Sequence, residues 1–215
     1  MKHSARHITK EELQRVESVY LQNRASLESY ADLLLWWNKK INLVSRGVSR
    51  ETILQHIKHS LFVCLVEGFA DVDSLFDTGS GGGLPGVPLA LCFDDKRFRI
   101  NDIVIKKVFA VNDMISKLEL TDRVSGVAGD VSGALVEKNS FVITKHAFKL
   151  DQLYSLIHTK PWEKIVFLKG FEEALEEAEK IEDKVSLDVI RLDTGYMDSF
   201  YKGKAVVSLK RECDE

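Results

Sequence analysis

Between Asp77 and Ala90 the chain reads DTGSGGGLPGVPLA, and five glycines fall within eight residues. An apolar run ending in an acid precedes them, and an apolar run opened by a proline follows. Gly79, Gly81 and Gly83 permit positive φ and a close approach of the backbone to a ligand. Pro85 suits the first turn of a helix, where its missing N–H costs nothing. A strand, a glycine turn and a helix in this order hold ligands at the carboxyl edge of an α/β sheet. The phosphate pattern Gly-Lys-Ser/Thr does not follow the loop. Gly81, Gly83 and Gly86 satisfy G-x-G-x-x-G, so a dinucleotide stays open. Asp102 lies 19 residues after Gly83, at the end of the next strand-like run. An acid there accepts hydrogen bonds from both ribose hydroxyls, which suits NAD and S-adenosylmethionine alike. Asp77, at the mouth of the first strand, favours the second. Its carboxylate would repel a pyrophosphate but suits an ammonium and a sulfonium.

The elements that must position these residues show two regimes. Thr9 and Glu12 have capping-box spacing, and Leu13, Val16 and Tyr20 continue an apolar face. Leu27, Tyr30, Leu34, Trp37 and Ile41 predict a second helix, and Ile53, Ile57, Leu61 and Leu65 a third, over about 51–68. Trp36 and Trp37 read as packing residues. From residue 72 short apolar runs alternate with helical patterns: SLFD, FRIND, RVSGVA, SFVITK and KIVFLKG, each followed by an expected helix. That alternation predicts a parallel sheet covered on both faces. VSLDVIRLD and KAVVSLKR predict a closing antiparallel hairpin. The expected division is a helical extension over 1–70 and a ligand-binding α/β domain over 71–215.

Composition sets the outer bounds. The chain has 215 residues, 45% hydrophobic and 29% charged, so it affords a real core and global disorder is excluded. The apolar runs are too short to span a bilayer, and MKHSARHITK lacks the apolar stretch of a secretory leader. Cys64, Cys92 and Cys213 are odd in number and widely spaced, which points to a reducing cytoplasm. The net charge of −3 does not announce a nucleic-acid partner, although a local basic face is compatible with it.

The motifs together resemble a known family. DTGSGGGLPGVPLA is similar, almost position for position, to D-x-G-[ST]-G-x-G-L-P-G-[IV]-P-L-A of the bacterial 16S ribosomal RNA guanine-N7 methyltransferases (the RsmG family, once called glucose-inhibited division protein B). YADLLLWWNKKINLVS resembles that family's Y-x-x-L-L-x-W-N-x-x-x-N-L-[TV] segment. HIKHSL and KHAF match H-I-x-D-S-L and S-R-A-F in part, and LKG matches a late lysine-glycine. The resemblance covers roughly residues 27–211. It implies a class I methyltransferase sheet with an N-terminal helical extension, S-adenosylmethionine as methyl donor, and 16S ribosomal RNA or the small subunit as substrate, with the chain acting as a monomer. It places Gly79 and Leu84 at the amino-acid and ribose portion, Asp102 at the ribose, and Asp130 with Val131 at the adenine. Asp130 has a competing role as the N-cap of a helix beginning at VSGAL.

N7 of guanine carries a lone pair and no proton, so methyl transfer to it needs positioning rather than a general base. No catalytic triad or metal site is expected, and His3, His7, His56, His59 and His158 read as surface or polar-packing residues. Candidate phosphate contacts are Lys39, Lys40, Arg46, Arg50, Lys106, Lys107, Lys145, Lys149 and Lys169. The chain departs from the family pattern at five places. Lys145 and His146 replace serine and arginine, His59 replaces aspartate, Gln55 replaces arginine and Ile105 replaces glycine. His146 is expected to take the arginine's contact to cofactor or RNA and to bind better as pH falls toward 6. The departures leave open a second outcome, a divergent cofactor-binding protein with a changed substrate or lost catalysis.

Overall fold

The computed structural model describes residues 2–212. Cys213 lies outside them, and Cys64 and Cys92 are free thiols. The chain opens on a strand that the sequence reading missed, β1 (Lys2–His7). Three helices follow: α1 (Lys10–Gln22), α2 (Arg24–Asn38) and α3 (Arg50–Leu61), the last running into a 3-10 turn at Phe62–Leu65. The capping box at Thr9 and Glu12 forms, and Ser49 caps α3 through the amide of Thr52. The alternating part comprises β2 (Ser74–Thr78), α4 (Gly86–Cys92), β3 (Arg97–Asp102), α5 (Ile105–Lys117), β4 (Val124–Ala128), β5 (Phe141–Lys145), α6 (Leu150–Ile157), β6 (Lys164–Gly170) and α7 (Phe171–Ala178). The closing pair is β7 (Val185–Arg191) and β8 (Lys204–Arg211). After β4 the expected helix is absent. A 3-10 turn at Val131–Gly133 stands there, capped by Asp130.

All eight strands form one sheet in the order β1-β7-β8-β6-β5-β2-β3-β4. The pairs are parallel except those made by β8, which runs antiparallel to β6 and β7 as the hairpin reading expected. β1 adds a parallel edge beside β7, so the N-terminal extension is not wholly helical. From β2 the chain proceeds to β3 and β4 on one side, then returns to β5 and β6 on the other. The switch point therefore lies between the carboxyl ends of β2 and β5, where ligands bind in such sheets.

Side-chain alternation along the strands feeds two layers. On one face, Leu27, Tyr30, Leu34, Ile53 and Ile57 of α2 and α3 join Leu75, Ile100, Ile143 and Val166 in one buried cluster. On the other, Leu150, Leu153, Ile157 and Ala174 of α6 and α7 cover Phe76, Val142, Ile165 and Phe167. The apolar faces of α2 and α3 are thus part of the sheet's own core. Among the described residues, no helix is long and apolar enough to cross a membrane.

Candidate functional site

The chain leaves β2 at Thr78 and turns through Gly79, Gly81 and Gly83, with φ of 68°, 59° and 99°, before entering α4. These are left-handed angles that glycine adopts at little cost. Close approach comes first from the protein itself. A Cβ on Gly79 would lie 2.4 Å from Cβ of Ala147 and 2.9 Å from the Phe148 ring. One on Gly86 would lie 2.3 Å from Ile100 Cδ1 and 2.8 Å from Asp77 Oδ2. At Gly81 it would meet the Leu43 carbonyl at 3.0 Å. The glycines were expected to make room for a ligand; they also let the segment after β5 and the α2–α3 connection close on the loop. Tyr30, fully buried in α2, ties that connection down by donating to the Gly82 carbonyl at 2.9 Å.

Asp77 is not at the mouth of the strand. It is fully buried, and its Oδ2 accepts from the Gly86 amide at 2.8 Å. Oδ1 is buried without a hydrogen-bond partner. Desolvation pushes the carboxyl up to about 8, against the pull of the Gly86 amide. Its placement under the loop follows from the bare Cα of Gly86, which lets the carboxylate reach the first turn of α4. Asp102, at the end of β3, accepts from Gly81 N and Val104 N, both at 2.9 Å. It thereby braces the glycine loop against the next strand, with Lys107 Nζ 3.9 Å away. Asp130 caps its turn, accepting from the Ser132 amide at 2.8 Å and from the Ser132 hydroxyl. The Val131 side chain is buried in the core beside Phe76 and Val142, so only its backbone is placed to face a ligand.

A cleft of about 360 Å³ runs along the loop. Gly79, Ser80, Gly81 and Leu84 form one side, and Leu43, Val44, Val48 and Ile53 the other. Lys107, His56, Lys145 and His146 also line it, whereas Asp77, Gly83, Asp102, Asp130 and Val131 lie outside its lining. Ser80 Oγ, like Asp77 Oδ1, is buried without a partner. An apolar wall, a glycine turn and the unsatisfied Ser80 hydroxyl fit S-adenosylmethionine, whose methylenes are apolar, whose sulfonium is cationic and whose amino-acid end is a zwitterion.

The floor of the cleft is basic. Lys145, the last residue of β5, is buried and donates to the His56 carbonyl at 2.7 Å. Desolvation, with Lys204 nearby, pushes its ammonium down to about 7. His59 is fully buried, neither ring nitrogen has a partner, and its ring lies 6.2 Å from that of His146. It is no surface histidine, and burial holds it well below its ordinary value. Half-buried His56 is pushed down to about 3 by burial and by Lys145. His146 stands at the rim with φ of 55°. The residue is exposed overall, yet its ring is desolvated by neighbours and, beside Lys145 and Lys204, is held down to about 4. The expected strengthening of its contacts near pH 6 is therefore corrected: this imidazole gains its proton only in stronger acid.

The candidate phosphate contacts separate. Lys169 is buried and ion-paired with Glu177, so it is not presented to a partner, whereas Arg50 is exposed and pairs with Asp32 at the surface. Lys39, Lys40, Arg46, Lys106 and Lys149 are exposed. Trp37 packs as expected, donating Nε1–H to Asp113 at 2.8 Å, while Trp36 is 44% exposed under the Lys40 ammonium.

Comparison with known proteins gives the family and the fold. The family described as rRNA small subunit methyltransferase G matches residues 23–197, which include the loop and the whole cleft. Ribosomal RNA small subunit methyltransferase G of Chlorobium phaeobacteroides is 35% identical over 152 residues, 70% of this chain and 68% of that one. Its counterpart in Chlorobaculum tepidum is 32% identical over 190 residues, 84% of this chain and 86% of that one. Among solved structures, the Bacillus cereus O-methyltransferase in complex with SAH superposes with a TM-score of 0.57 at 15% identity, covering 85% of this chain and 91% of its own. The METTL16 MTase domain gives 0.57 at 14% identity, covering 86% and 80%. The fold is that of the class I S-adenosylmethionine-dependent methyltransferases, and the chain belongs to the rRNA small subunit methyltransferase G family.

Proposed function

We propose that the chain transfers a methyl group from S-adenosylmethionine to N7 of a guanine in small-subunit ribosomal RNA. The observation that carries this is the cleft at the switch point, formed by the glycine loop and the α2–α3 connection, in a chain of this family. When bound, S-adenosylmethionine supplies an electrophilic methyl on a sulfonium. The chain's residues hold, orient and dry the site. Asp102, which braces Gly81, is assigned the ribose hydroxyls. Asp130 and the Val131 backbone are assigned the adenine side, and Gly79 and Leu84 the amino-acid and ribose portion. Val44, Val48, Ile53 and Leu84 keep water from the reacting atoms. N7 of guanine has no proton to lose, so the reading requires no general base. Lys39, Lys40, Arg46 and Lys106, exposed on the N-terminal lobe and α5, are suited to phosphates. The reading places the chain in the cytoplasm, as a monomer acting on ribosomal RNA.

The test incubates purified protein with methyl-labelled S-adenosylmethionine and small-subunit RNA lacking the modification, followed by nucleoside mass spectrometry. One labelled N7-methylguanosine per RNA is the expected result. Labelling at another atom, or none on naked RNA and none on the assembled subunit, rejects it.

A further inference from the structure

Lys145 has no ion-pair partner in a place where one is needed. It ends β5, whose register with β2 pairs Asp77 with Ile143. Continued by two residues, that register sets Lys145 beside Gly79, and the Thr144 hydroxyl donates to the Thr78 carbonyl at 2.8 Å in between. The ammonium lines the cleft together with Gly79 and Ser80. It has three donors, of which one goes to the His56 carbonyl. The groups facing it are His56 and His59 from α3, His146 beside it, Lys204 from β8 and Asp77 from β2, with Lys107 across the cleft. All but Asp77 are basic, and the Asp77 carboxyl is turned to the Gly86 amide. Among the described residues, Lys145 makes no ion pair. A buried cation with spare donors and no counter-charge calls for an anion in the cleft.

We propose that Lys145 receives the carboxylate of the cofactor's amino-acid end. The inference rests on the placement of the cofactor along the glycine loop. That placement puts the amino-acid end against Gly79 and Ser80, where Lys145 is the lining cation. An RNA phosphate is the less suitable anion, because Lys145 is only 9% exposed, too deep for a polymer backbone. His146, the residue aligned with the family arginine, stands farther out at the rim. The contact also carries a pH signature. With the free ammonium titrating near 7, the form that binds a carboxylate is abundant at pH 6 and scarce at pH 8. Affinity should fall by up to about tenfold across that range.

Calorimetry with S-adenosylhomocysteine and with its decarboxylated analogue, which keeps the amine, tests the assignment. The native protein should prefer the carboxylate-bearing ligand by roughly tenfold or more at pH 6.5. Lys145→Met should bind the two equally and lose the change between pH 6 and pH 8. Lys145→Arg should keep the preference but not the pH dependence. Thermal melts confirm that each variant is folded. Should Lys145→Met not fold, the analogue preference of the native protein and the pH response of Lys145→Arg still decide. A preference that persists in Lys145→Met, or is absent in the native protein, overturns the proposal. Loss of binding to a small-subunit RNA fragment in Lys145→Met, with the ligand preference intact, would assign the ammonium to a phosphate instead. A native protein that binds neither nucleoside overturns the cofactor placement itself.

Discussion

Substituting Gly79 by alanine tests whether the loop's bare backbone serves the fold or only the ligand. Gly79 sits at φ 68°, where an L-residue bears a strain of about 1–2 kcal/mol. The added Cβ would also lie 2.4 Å from Cβ of Ala147, which sits on the backbone and cannot swing away. Overpacking of this kind costs about 1–3 kcal/mol. The sum, about 2–5 kcal/mol, corresponds to a fall in Tm of roughly 4–20 °C for a chain of this size. Ala147→Gly removes the opposing carbon and leaves the Phe148 ring edge, which can shift. The double variant should therefore recover part of the loss, with a coupling of about 0.5–3 kcal/mol. Chemical denaturation of the four proteins without cofactor measures the cycle. If Gly79→Ala costs no more than its backbone strain and Ala147→Gly rescues nothing, the glycine is kept for the ligand alone and the packing account is wrong.

Two further outcomes follow from burial. A chain starting at Asp71 should be insoluble or molten, because it strips Leu27, Tyr30, Leu34, Ile53 and Ile57, all fully buried, from the sheet face they cover; a monodisperse, cooperatively melting truncation would refute this. His59 should make the fold acid-sensitive: the unfolded chain takes its proton near 6.5 while the folded one refuses it, so stability is retained above pH 6.5 and lost as pH falls below it, by up to about 1.4 kcal/mol per pH unit. His59→Phe should flatten that slope in denaturation curves at pH 5 and pH 7, and equal slopes in the two proteins would reject the assignment.

The helices, the parallel strands and the closing hairpin were legible because their periodicities are strong and their caps are local, as Thr9 with Glu12 shows. β1 was not, since KHSARH carries no apolar alternation and is held as an edge by pairing with β7, 184 residues away at Ser4 and Asp188. The turn after β4 was misread as a helix because Asp130 offers a helix N-cap, but the cap opens only one 3-10 turn, which ends at Ala134 in extended backbone. At the site, residue types pointed to the glycine turn that lines the cleft, but not to which way a side chain turns. Asp77 looked like a ligand contact because it ends a strand. Its burial depends on Gly86, nine residues on, leaving space that no local pattern announces. The depth of Lys145 and His59 was equally hidden. Each reads as an ordinary polar residue until β5 and α3 are laid side by side.

That juxtaposition changes the meaning of the departures from the family pattern. In sequence they fall in three separate segments, yet the Lys145 ammonium donates to a carbonyl 89 residues away, that of His56, and the His59 ring lies near that of His146. Gln55 stands apart, reaching toward Asp198 at 3.4 Å. Ile105 also stands apart, exposed at the start of α5, and the remaining three changes form one cluster in which a pattern of arginine, aspartate and serine has become histidine, histidine and lysine. An arginine–aspartate pair is charged at every physiological pH and neutralises itself. The cluster here has no internal acid, and its imidazoles stay neutral through neutrality, so Lys145 is the group whose charge responds to what enters the cleft. An aspartate at position 59 would offer Lys145 a permanent partner and compete with any incoming carboxylate. A neutral histidine there leaves the ammonium open to one. If Lys145 receives the cofactor's carboxylate as proposed, a neutral His59 leaves the site to be completed by that ligand, and the cost is borne by His59, whose two unsatisfied nitrogens are each worth about 1–3 kcal/mol of lost solvation.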